Sequence, residues 1–72
     1  MAGLHERSAY REMRVRELIE EAAYARRRHA VYKAKVFGPR PTSAARLAEL
    51  DRIALRTERR LERARLAAAE GE

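Results

Sequence analysis

At 72 residues the chain reads as a single domain near the lower limit of what one hydrophobic core can stabilise, and the absence of cysteine removes disulfides, thiolate metal sites and cysteine nucleophiles together. Seventeen basic residues against 11 acidic ones leave a formal net charge of +6, which points to an anionic partner such as nucleic acid or an acidic protein surface. No apolar run is long enough to span a membrane or form the core of a secretion signal, so a cytoplasmic location without a membrane partner is expected.

Residues 1–5 are expected to fray. From Glu6 to Phe37 the chain has no Gly or Pro, which predicts one long helix. Along it Val15, Leu18, Ala22, Ala25, His29, Tyr32 and Val36 alternate steps of three and four residues and form one stripe. A second row, Ile19, Ala23, Ala30, Ala34 and Phe37, widens this apolar arc beyond what one neighbouring helix covers. The surplus predicts self-association through Leu18, Ile19, Ala22, Ala23, Ala30 and Phe37, with a second copy completing a four-helix bundle. Further apolar rows, Met13, Tyr24 and Val31 here and Ala48, Leu55 and Leu66 on the second arm, read as scattered surface residues or as an additional partner surface.

Gly38-Pro39-Arg40-Pro41 is the punctuation between the two arms. Gly38 is expected to cap the first helix in the left-handed conformation, with Pro39 stopping propagation. Thr42 or Ser43 then offers an N-cap hydroxyl to a second helix over about residues 43–69, with residues 70–72 fraying. Its stripe is Leu47, Leu50, Ala54, Thr57, Leu61, Ala64 and Ala68, flanked by Ile53. So short a connection makes the helices antiparallel neighbours, and the predicted fold class is all-α, an antiparallel two-helix hairpin.

The strongest chemical feature is basic. Arg52, Arg56, Arg59 and Arg63 follow one another at steps of four, three and four and share a face opposite the apolar stripe, with Arg60 beside them. Like charges at i,i+4 oppose helix formation by a few tenths of a kcal/mol each, so helix stability does not account for the row. Arg27 and Arg28 add exposed charge on the first helix, whereas Arg26 and Lys33 fall within its apolar arc and must snorkel, pair with Glu58 or Glu62, or meet an anion. Tyr10, Tyr24 and Tyr32 point in different directions and are not expected to form a stacking platform.

Constellations for catalysis or metal binding do not emerge from the pattern. His5 and His29 are too far apart in sequence to pair, the adjacent acids Glu20 and Glu21 diverge on a helix, and Ser8 and Ser43 have no nearby base. No catalytic residue, metal, cofactor or small-molecule substrate is expected. The sequence therefore reads as a small non-enzymatic binding module, dimeric, that uses its arginine face on a nucleic-acid backbone or an acidic protein. The alternative is a structural subunit or adaptor of a larger particle or phage assembly.

Overall fold

The computed structural model describes residues 2–70, with side chains from residue 9 onward. Two helices, α1 (Ala2–Lys35) and α2 (Ala44–Glu70), are joined by a turn over residues 36–43. The contacts that cross between them run in opposite senses along the two sequences: Glu21 meets Arg60, Arg26 meets Glu58, His29 meets Asp51 and Tyr32 meets Ser43. The fold is thus an all-α antiparallel hairpin, drawn out to 60 × 14 × 12 Å. Among the described residues no helix is long and apolar enough to cross a membrane.

The seam follows the predicted stripes. Leu18, Ala22 and Ala25 of α1 are buried against Leu50, Ala54 and Thr57 of α2, with Leu18 only 3% and Leu50 only 4% exposed. Alanine at the facing positions lets the two backbones approach, and the two leucines are the large side chains buried in the contact. Thr57 is the polar member of the seam, and its hydroxyl donates to the Ile53 carbonyl one turn back, which satisfies it without a partner on α1. Val15, His29 and Tyr32 on α1, and Leu47, Leu61, Ala64 and Ala68 on α2, extend the seam as half-buried residues.

Both helix ends at the turn differ from expectation in instructive ways. α1 stops at Lys35, two residues before Phe37, through bonds of the i→i−3 kind: the amides of Val36, Phe37 and Gly38 donate to the carbonyls of Lys33, Ala34 and Lys35 at 3.2, 3.3 and 3.0 Å. This tightened last turn already satisfies the terminal carbonyls, so Gly38 does not adopt the expected left-handed cap conformation. Its role is steric, since a Cβ there would lie 3.3 Å from the Lys35 carbonyl oxygen. Val36, expected on the stripe, lies in this last turn and is exposed. Lys33 and Lys35 in the last turn compensate the negative end of the helix dipole.

Ser43, rather than Thr42, caps α2. Its Oγ accepts from the Arg46 amide at 3.1 Å, and its carbonyl accepts the first helical bond, from Leu47, at 3.0 Å. Its own amide donates to the Tyr32 hydroxyl of α1 at 2.8 Å, fastening the start of one helix to the end of the other. The break therefore covers residues 36–43, wider than Gly38 through Thr42. At the other end α1 begins at Ala2, ahead of the expected Glu6, and α2 runs through Glu70. The expectation of frayed ends falls in part on residues 1, 71 and 72, which lie outside the described residues.

Candidate anion-binding surfaces

Arg52, Arg56, Arg59 and Arg63 stand exposed on the outer face of α2, turned away from the seam. None of the four forms an ion pair with any of the described residues. Arg60, expected beside them, sits about 60° further round the helix from Arg63, at one edge of the hairpin. There its Nη1 lies 3.9 Å from Oε2 of Glu21, so part of its charge is answered within the fold.

Several acids near the outer face take other partners. Glu58 pairs with Arg26 and Asp51 lies 3.9 Å from Nε2 of His29, both across one flank of the hairpin. Glu17 pairs with Arg14 at 3.4 Å and Glu49 with Arg46 at 3.2 Å, each one turn away on the same helix. Glu58, Glu17 and Glu49 are thus engaged elsewhere, while Glu62, exposed beside Arg63, forms no ion pair among the described residues. Arg26, predicted to pair with Glu58 or Glu62, takes Glu58. His29 is a half-buried seam residue, and among the described residues no three potential ligands of the His, Cys, Asp or Glu type stand close enough to hold a metal.

A second basic surface emerges only in three dimensions. Near the turn, Tyr24, Arg27, Arg28, Val31, Tyr32 and Lys35 of α1 join Arg46 and Leu50 of α2 around a groove of about 410 Å³. The groove has an apolar floor, a rim of four cations and no carboxylate in its lining. The Arg28 guanidinium carbon lies 5.8 Å from the centre of the Tyr24 ring, a cation–π arrangement that holds both groups at the groove wall. Tyr32 is fixed by its bond from the Ser43 amide. A neighbouring groove of about 310 Å³ continues along the same flank and shares Tyr24, Arg28 and Leu50 with the first.

Of the residues predicted from sequence to meet an anion, Arg27 and Arg28 fall in this groove, while Arg52, Arg56, Arg59 and Arg63 form the separate outer face. Lys35, Arg46, Tyr24 and Tyr32 were not among them. Tyr24 and Tyr32, eight residues and so about 80° apart on the wheel, both line the groove. Their common flank was legible in that spacing, but Arg46 required the register of α2 against α1.

The predicted self-association residues also divide. Leu18 and Ala22 are buried between α1 and α2, because the hairpin's own seam uses the centre of the apolar arc. Ile19, Ala23, Ala30 and Phe37 remain exposed, Phe37 to 86%. No protein-family model, curated protein or solved structure matches the chain, so its function is argued from this geometry alone.

Proposed function

We propose that the chain is a small non-enzymatic binding module that lays the outer arginine face of α2 along the phosphate backbone of nucleic acid. The observation that carries this reading is the row Arg52, Arg56, Arg59 and Arg63, exposed and unpaired among the described residues. Four arginines over about 17 Å of helix match a line of phosphates, and guanidinium groups bind phosphate oxygens in a planar, bidentate manner. Such contacts position a nucleic acid without reading its bases.

Changing Arg56 and Arg59 together to Glu tests the reading. Both side chains face away from the seam, so the helical circular-dichroism signal should persist. Affinity for random duplex DNA or RNA, followed by fluorescence anisotropy, should fall for every sequence, and the salt dependence of log affinity should become shallower by roughly one per lost contact. Wild-type protein that ignores nucleic acid near physiological salt but binds an acidic polypeptide moves the assignment to an acidic protein partner.

A second reading, a subunit ordered within a larger assembly, is favoured by the apolar side chains left exposed around α1, among them Tyr10, Met13, Ile19, Val31 and Phe37. In its simplest form a second copy covers Ile19, Ala23 and Ala30, completing a four-helix bundle. Ala23→Glu places a charge in that contact and should halve the sedimenting mass. A mutant that sediments like a wild-type dimer puts the interface elsewhere.

A further inference from the structure

Resting on the nucleic-acid reading above, we infer that the groove at the turn end of the hairpin is a stacking site for an unpaired base and its phosphate, giving the chain a preference for single-stranded nucleic acid over duplex. The lining combines two kinds of surface that a nucleotide also combines. Tyr24, 59% exposed, Val31 and the edge of Leu50 offer area to a flat apolar group, while Arg27, Arg28, Lys35 and Arg46 surround it with positive charge. A carboxylate-bearing peptide satisfies the rim but leaves the ring uncovered, whereas a nucleotide places a planar base against the ring and a phosphate against the cations.

The arrangement of Tyr24 and Arg28 supports the stacking half of this site. With the guanidinium held over the ring at 5.8 Å, a base can extend the stack from the guanidinium or lie on the opposite face of the phenol. The 2.8 Å bond from the Ser43 amide to the Tyr32 hydroxyl fixes the wall nearest the turn, so the groove is formed before a ligand arrives. Its volume of about 410 Å³ is enough for one unstacked base and its phosphate.

The charge half is equally available. Among the described residues the one carboxylate paired with a rim residue is Glu49, which holds Arg46 at 3.2 Å in an exposed i,i+3 pair of the kind that contributes little and yields readily to a phosphate. In the adjoining groove Glu21 is already opposed by Arg60. The stacking groove and the outer arginine face lie on neighbouring sides of the hairpin, so a strand can leave the groove and continue over α2.

Three labelled ligands separate the possibilities by fluorescence anisotropy near physiological salt: a short oligothymidylate, an abasic strand of the same length, and a random duplex. The oligothymidylate should bind the wild-type chain more tightly than the other two. Tyr24→Ala should weaken oligothymidylate binding about tenfold or more, to the level of the abasic strand, with duplex affinity almost unchanged. Tyr24→Phe, which keeps the ring, should retain the preference, and because Tyr24 lies outside the buried seam both variants should keep the wild-type helical signal.

Equal binding of thymidylate and abasic strands overturns the inference, because the groove then senses charge alone. So does a Tyr24→Ala loss shared equally by all three ligands, or displacement of the oligothymidylate by polyglutamate as effective as by unlabelled strand. Base-dependent binding of the strand with no duplex binding overturns the arginine-face reading and leaves the groove standing. Duplex binding without any preference for bases does the reverse.

Discussion

The two flanks of this hairpin are built from the same pair of helices yet carry opposite electrostatic character. On one, Arg26 meets Glu58 and His29 faces Asp51, so charge is answered across the seam. On the other, Arg27, Arg28, Lys35 and Arg46 gather around two tyrosines with no carboxylate lining the groove, and only Arg60 finds an acid on the opposite helix. The difference shows that a net charge of +6 is a statement about distribution more than amount. Glu58 and Asp51 face partners on α1 across one flank, and cations unpaired among the described residues are left at the other edge and on the outer face of α2.

If that asymmetry depends on the hairpin, the largest effect should come from breaking the seam. Leu18 and Leu50 are its two large buried side chains, so Leu18→Ala should cost about 2–5 kcal/mol, enough to abolish a cooperative thermal transition in a core this small. The variant keeps every charge. It should therefore retain salt-sensitive binding to duplex while losing the preference for unpaired bases, because Tyr24 and Arg46 come together only when α1 and α2 are docked. A melt by circular dichroism indistinguishable from wild type contradicts the seam, and an intact base preference in an unfolded variant contradicts the flank comparison.

The fold was legible in the sequence to the level of individual seam residues. Steps of three and four picked out Leu18, Ala22 and Ala25 against Leu50, Ala54 and Thr57, because burial in a two-helix contact is governed by the same helical period that spaces the residues. The details that escaped are those in which neighbouring groups compete for a backbone partner. Gly38 suggests a left-handed cap by residue type, but bonds tightened to i→i−3 satisfied the same carbonyls first. Ser43 prevailed over Thr42 at the cap, where the Tyr32 hydroxyl also receives its amide.

The candidate site was legible on one helix at a time and not between helices. A row such as Arg52, Arg56, Arg59 and Arg63 needs only the period of α2 to be seen. The groove needs the register, since Arg46 and Leu50 face Tyr24, Arg28 and Lys35 only after the turn has set which residue of α2 lies beside which of α1. Leu18 and Ala22 illustrate the same point in reverse. The width of the apolar arc showed that α1 has more than one apolar neighbour to satisfy, but which part of the arc the hairpin would consume depended on how α2 docked.

A finer division between the flanks should appear when each cross-helix ion pair is removed in turn. Arg26→Gln and Arg60→Gln should each cost less than about 1 kcal/mol, the usual range for pairs at a protein surface. Arg26→Gln should cost the more, because Arg26 is in direct contact with Glu58 whereas Arg60 stands 3.9 Å from Glu21. Urea titrations at low salt measure both, and near 1 M salt, where the screening length shrinks to roughly 3 Å, the two values should converge on wild type. Binding should rank the same variants in the opposite order. Arg60 borders the groove system with Tyr24 and Arg28, whereas Arg26 belongs to the flank whose charge is already compensated, so Arg60→Gln should weaken nucleic-acid binding and Arg26→Gln should leave it nearly unchanged. Equal losses of binding from the two variants mean that the ligand senses only the total charge of the hairpin and that the distinction between its flanks has no part in recognition.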